Sequence, residues 1–144
     1  MSNNKILGWR EWVELPELGL SSIKAKVDTG ARTSCLHAFE LDVISRDEQD
    51  WARFKVHPQQ GNNDYVVECE ARILDRRPVR DSGGHSEERI VILTTLKIGA
   101  WEDKIEMTLT ARDNMRFRML MGRTSISRGG FQVDPSRSYL QRIK

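Results

Sequence analysis

The sequence predicts an all-β domain, a small closed barrel with one short helix near its C-terminus. Three observations lead there. Stretches of period-two alternation recur along the chain, and Ile23, Ala25 and Val27 interleaved with Lys24 and Lys26 form the clearest of them. Clusters of turn-forming residues separate these stretches. Sustained helical periodicity is absent outside one short segment, so an α/β fold is not expected.

Residues 1–8 read as a loose lead-in, and 9–144 as a single domain. Trp9 to Leu15 and Leu20 to Val27 form a hairpin around the turn Pro16-Glu17-Leu18-Gly19. Thr33 to Ile44 is irregularly strand-like. Asp47-Glu48-Gln49-Asp50 is a polar turn, and Trp51 to Val56 is a strand ended by His57-Pro58, so residues 38–60 make an added hairpin. Tyr65, Val67, Cys69, Ala71 and Ile73 alternate with polar neighbours as one long half-buried strand. A polar loop follows, from Arg76 to Ser86, with Gly83-Gly84 at its centre. Ile90 to Leu93 resumes a strand, Lys97 to Trp101 turns it, and Ile105, Met107 and Leu109 alternate again. Asp113-Asn114 turns into the apolar run Phe117 to Met121. Thr124 to Arg128 then forms one or two helical turns, stopped by Gly129-Gly130.

The chain has 144 residues and a net charge of +2, unevenly distributed. From Ala111 onward there are eight Lys or Arg against two Asp or Glu, a local balance of +6. That basic segment is read as a solvated face rather than a nucleic-acid surface, because Phe117, Phe131 and Tyr139 are too scattered to form a stacking platform. No apolar run is long enough to span a membrane, and the N-terminus lacks a signal-peptide core, so a cytoplasmic location without membrane association is expected. Cys35 and Cys69 are then read as buried thiols.

The most informative stretch is the end of the Ile23–Val27 strand, which runs directly into Asp28-Thr29-Gly30-Ala31. A carboxylate at the end of an apolar strand needs hydrogen bonds or a partner charge to offset desolvation. Thr29 brings a hydroxyl, and Gly30 permits a sharp turn. About 90 residues downstream, Phe117-Arg118-Met119-Leu120-Met121-Gly122-Arg123 precedes Thr124-Ser125-Ile126. This pair of motifs resembles the retroviral-type aspartic peptidases, in which such a run frames the Asp-Thr-Gly loop. The string from Lys26 to Ala38 is similar to a small bacterial retropepsin-like family whose members are often labelled ATP-dependent zinc proteases. The likeness covers roughly residues 8 to 140.

The resemblance implies a retropepsin-like barrel and peptide hydrolysis by two carboxylates sharing a proton. One Asp-Thr-Gly per chain then implies a homodimer, with Asp28 of each copy forming the dyad. Thr29, Gly30 and Ala31 would support it. Ala31 stands where many pepsin-like enzymes carry serine, which implies a less acidic working range. The loop after the long strand would be a flap over bound peptide, with Arg80, Gly83 and Gly84 as its substrate contacts. Two other readings stand beside this one: a catalytically silent module binding a peptide or partner in the same cleft, and a zinc-dependent hydrolase as the family label suggests. Cys35, His37, His57, Cys69 and His85 are the available soft or imidazole ligands. They show no zinc-binding spacing, Cys35 and His37 being at most a pair on one strand face, and no phosphate-binding glycine loop occurs. No metal or other cofactor is expected. The substrate is a peptide or protein. Arg32, Arg76, Arg77 and Arg80 would favour an acidic one, and Asp75, Asp81, Glu87 and Glu88 would oppose that preference. Some members of the family are associated with a ligase that adds glutamates to a ribosomal protein.

Overall fold

The computed structural model describes residues 5–59, 61–80, 83–111 and 117–141. The elements in chain order are β1 (Ile6–Leu7), β2 (Arg10–Leu15), β3 (Leu20–Asp28), β4 (Ser34–His37), β5 (Phe39–Arg46), β6 (Gln49–Val56), β7 (Val67–Arg80), β8 (Ser86–Ile98), β9 (Trp101–Thr110), β10 (Met119–Gly122), α1 (Arg123–Arg128) and β11 (Gln132–Val133). The fold is all-β with one short helix. The turn expected at Asp113-Asn114 falls outside the described residues, as do Asp81 and Ser82 of the polar loop.

The main sheet runs β2-β3-β10-β4-β9-β8-β7-β6-β5, and β2 also pairs with β8 through Glu14 and Lys97. Strands β2, β3, β10, β4, β9 and β8 therefore form a ring, sealed at one residue pair. Alternation explains its interior. Ile23 and Ala25 of β3, Leu36 of β4, Ile92 and Leu96 of β8, Met107 of β9, and Met119 and Met121 of β10 are all fully buried, and in β3 the intervening Lys24 and Lys26 lie on the outer face. Such aliphatic and Met side chains each gain about 1.5–3 kcal/mol on burial. Beyond the ring, β7, β6 and β5 continue the sheet. Their hairpin turns at Asp47 and Glu48, both with positive φ (53° and 65°), the backbone hand that suits a tight strand connection.

Three segments differ from the sequence-based expectation. Ile6-Leu7, read as loose lead-in, pairs in parallel with Gln132-Val133, and Leu7 is fully buried. Two residues are too short for a period to show. Thr33 to Ile44 is two strands, β4 and β5, broken at Ala38, with Glu40 in the left-handed region (φ 50°) at a register shift. The third difference matters most for the site. The polar loop expected from Arg76 to Ser86 is mainly paired strand, with Arg76 opposite Ile90, Arg77 opposite Arg89 and Arg80 opposite Ser86. Both faces of this arm are largely solvated, so no apolar alternation marks it.

The chain ends are tied together by a buried carboxylate. Glu11 is fully buried and accepts backbone N–H bonds from Gly8 (2.6 Å), Leu140 (2.9 Å) and Gln141 (3.0 Å). Three donors compensate the desolvation that would otherwise make such a group costly. Trp9 accepts a bond from Val27 N–H (2.9 Å), which fixes the entry to β2 beside the end of β3.

Candidate functional site

Strand β3 carries Asp28 to its last position, flanked on one side by β10 in parallel register, Gly122 opposite Asp28. The chain then turns: Ala31 N–H reaches Asp28 O (3.3 Å), and Gly30 N–H donates to Asp28 Oδ1 (3.0 Å). Asp28 is half-buried, and Thr29 and Gly30 are exposed. One carboxylate oxygen is thus held by the turn that follows it.

The framing run sits where its apolar pattern and glycine allow. Arg123 N–H donates to Ala31 O (2.8 Å), Thr124 N–H to Arg32 O (3.1 Å), and Arg123 Nη1 to Gly30 O (3.3 Å). These bonds staple the start of α1 to the Asp28 turn. Gly122 makes the approach possible, since a Cβ there would lie 2.5 Å from Thr33 C and 2.8 Å from Ser34 N. Beneath it, the buried Ser34 hydroxyl accepts from Gly122 N–H (3.0 Å) and lies 3.0 Å from Ser125 Oγ. Ser34 is an inner support that a strand-forming pattern alone does not reveal.

Beside this turn runs a groove of about 670 Å³, lined by Gly30, Ala31, Arg32, Thr33, Cys35, Arg77, Pro78, Val79, Arg80, Arg89, Glu106, Thr108, Leu120 and Arg123. Five guanidinium groups thus face one carboxylate. Arg77 donates to Glu106 and, at 2.9 Å, to Asp75. Its hydrogen bond holds Glu106 below the ordinary carboxylate range, against the opposing effect of burial; the charges of Arg77 and, at longer range, Arg32 add to it. Arg77's other hydrogen bond, from Nε and helped by Arg76 N–H, holds Asp75 low. Arg77 is pushed up in turn, first by Glu106 and then by Asp75. Arg89 is only 12% exposed; it pairs with Glu87 at 2.7 Å and lies 3.6 Å from Cys35 Sγ, so it is part of the wall. Among the described residues, Arg32 and Arg80 have no carboxylate within ion-pair distance. Arg123 has none either and is bonded instead to Gly30 O, so three of the five cations are left over.

Of the residues singled out from sequence, Gly30, Ala31 and Arg80 line the groove. Asp28 and Thr29 stand at its rim in the adjoining turn. Gly83 and Gly84 lie at the hairpin end, away from the lining, Gly84 with φ 86°. Arg89 and Glu106 were not singled out. The signal for Glu106 was the outward phase of β9, and Arg89 becomes visible only once β7 and β8 are paired. Cys35 and Cys69 are present as thiols, both buried, and burial pushes the Cys69 thiol up to about 12. Among the described residues, no three His, Cys, Asp or Glu side chains converge as metal ligands would.

A strand ending in Asp-Thr-Gly, a Gly-Arg run bonded to it, and a paired arm over the adjoining groove form one arrangement. The model of the RimB-like family, described as retropepsin-like aspartic endopeptidase RimB, matches residues 6–144. The chain belongs to this family. A crystal structure of a protein of unknown function from Legionella pneumophila is similar to the RimB-like chain with a TM-score of 0.80 and 25% identity, over 96% of this chain and 99% of that one. Curated relatives point elsewhere. A probable alpha-L-glutamate ligase of Shewanella pealeana is 44% identical over 142 residues, covering 96% of this chain, and one of Desulfotalea psychrophila is 45% identical over 122 residues. The chain spans 30% of the former's length and 26% of the latter's.

These relatives overturn the function read from sequence. The expectation is a homodimeric aspartic endopeptidase with an Asp28 dyad, with a silent peptide- or partner-binding module or a zinc-dependent hydrolase as alternatives. Relatives at this identity are instead named for glutamate ligation. Asp-Thr-Gly at the end of a strand marks the family without fixing the reaction. What holds at the coarser level is that family and relatives alike carry enzyme names.

Proposed function

We propose that this chain is the peptide-handling part of an α-L-glutamate ligase system, seating a glutamate-rich peptide in the groove beside Asp28. The observation that carries this is the groove's charge: of its five arginines, Arg77 is paired with Glu106 and Asp75 and Arg89 with Glu87, which leaves Arg32, Arg80 and Arg123 without an ion-pair carboxylate among the described residues. A peptide carrying several carboxylates complements that surface, and Arg forks suit bidentate carboxylate binding. The relatives' name supplies the chemical context in which glutamate-rich peptide would be met.

In this reading Asp28 acts on the bound peptide, with Thr29, Gly30 and Ala31 holding the turn and Arg80 contacting substrate from the arm. Gly83 and Gly84 would cover the far end. The reaction type in the family's name, aspartic endopeptidase, has the Asp28 turn as its support here, and the assay below reads it separately from binding. Family membership also supports pairing of two copies, testable by sedimentation across a concentration series. A cytoplasmic setting completes the proposal, supported by thiols at Cys35 and Cys69.

The test adds purified chain to a glutamate-ligase reaction and counts glutamates per product by mass spectrometry. The proposal expects the distribution to change with wild-type chain. Arg32→Ala with Arg80→Ala abolishes the change by weakening binding. Asp28→Asn abolishes it while glutamate-rich product still binds. An unchanged distribution with wild-type chain would contradict the proposal.

A further inference from the structure

The groove does not end at its wall. Strand register places Thr108, Cys35 and Leu120 side by side across β9, β4 and β10, and all three line the groove. The same row continues outward: Leu120 is opposite Lys26 of β3, and Lys26 is opposite Arg10 of β2. Trp12 and Lys24 form the next pair along those two strands. Register partners share a sheet face, so the outer surface passes from groove floor to Lys26, Arg10 and Lys24 without a turn or a change of face.

This surface is cationic and partly preformed. The Arg10 guanidinium lies 4.5 Å from the Trp9 ring centre and 4.9 Å from that of Tyr139, and its Nε donates to Ser138 Oγ (3.2 Å). That contact fixes the fork while leaving its terminal nitrogens without a hydrogen-bond partner among the described residues. Lys24 lies over Trp12 at 5.3 Å, and Lys26 is exposed. Two carboxylates share this face. Glu14 is drawn to Lys97 (3.7 Å), and Asp28 has Oδ1 engaged by Gly30. Among the described residues neither Lys24, Lys26 nor Arg10 has an ion-pair partner.

We infer that Lys26, Arg10 and Lys24 form an exosite that takes the trailing segment of an acidic peptide longer than the groove. This rests on the reading of the groove given above. Strands lie about 4.8 Å apart, so Lys26 is about 5 Å and Arg10 about 10 Å beyond Leu120. An extended peptide advances about 3.3 Å per residue, so roughly three residues past the groove reach both cations. Alternate glutamates, which share a face in an extended peptide, engage Lys26 and then Arg10, with Lys24 beside them.

The test compares fluorescein-labelled tetraglutamate and octaglutamate by anisotropy, with a labelled oligouridylate of eight nucleotides as control. Wild-type chain binds the octamer about tenfold tighter than the tetramer, the size that two or three exposed charge pairs supply. Lys24→Ala with Lys26→Ala, which leaves the Arg10 packing intact, removes that advantage and leaves tetramer binding unchanged. A retained advantage, or equal weakening of both peptides, overturns the exosite while leaving the groove reading in place. Absence of binding by either peptide overturns both. Tighter binding of oligouridylate than octaglutamate, lost in the double variant, reassigns the surface to nucleic acid and overturns the inference.

Discussion

Two regions meet at the groove and are built in opposite ways. The Asp28 turn rests on uncharged hydrogen bonds, the buried ones of Ser34 with Gly122 and Ser125 and the backbone ones of Arg123 and Thr124 to Ala31 and Arg32. The β7–β8 arm is a strand pair whose side chains meet in ion pairs at or near the surface, Arg77 with Asp75 and Glu106, and Arg89 with Glu87. Buried hydrogen bonds are costly to break because the orphaned group cannot reach water, whereas exposed ion pairs contribute little. The turn is therefore rigid and intolerant of substitution. The arm is a replaceable array of charges suited to contact with a ligand.

That contrast can be broken first at Gly122. Gly122→Ala puts a methyl group against the Thr33 and Ser34 backbone, which cannot yield as a side-chain tip would. The expected loss is on the order of 3 kcal/mol, read by urea unfolding. A loss below about 1 kcal/mol would show the turn is softer than described. Next, Ser34→Ala orphans the buried Gly122 N–H and should cost about 1–3 kcal/mol in the same measurement. Arg77→Ala, by contrast, should leave the midpoint nearly unchanged while weakening any anionic ligand.

Acid sharpens the same comparison with a smaller effect. Glu106 and Asp75 are held below the ordinary carboxylate range, mainly by hydrogen bonds from Arg77. Groups with depressed folded values contribute stability above their unfolded pKa, about 4, and lose it as pH falls through the folded values. The arm should thus loosen below about pH 4 and not between pH 5 and 8. Amide exchange in β7 and β8 checks this. Earlier loosening in the Asp28 turn than in the arm would reverse the assignment of rigid and labile regions.

Much of the rigid region was legible in the sequence, and little of the arm was. Ile23-Ala25-Val27 alternate because one face of β3 is buried, and that pattern led directly to Asp28. The run to Gly122 and the turns of α1 were legible for the same reason. Ser34 was not, since its value lies in two partners 88 and 91 residues away. Arg76-Arg77-Pro78-Val79-Arg80 read as loop because a strand solvated on both faces carries no hydrophobic period. The groove itself depends on Arg77 lying opposite Arg89 and reaching Glu106 of β9 with its side chain, a juxtaposition that only the paired strands reveal. The reaction was further from view, since a strand ending in Asp-Thr-Gly identifies a family and a turn without identifying the bond acted on.

The central claim is that the arginine groove recognises acidic peptide, and isothermal titration with matched Glu-rich and Lys-rich peptides tests it most directly. The Glu-rich peptide should bind at low salt, weaken as salt rises, and lose most of its affinity in the Arg32→Ala, Arg80→Ala variant, while the Lys-rich peptide does not bind. Equal binding of the two peptides, or affinity for the Glu-rich peptide that survives loss of both arginines, would contradict the account.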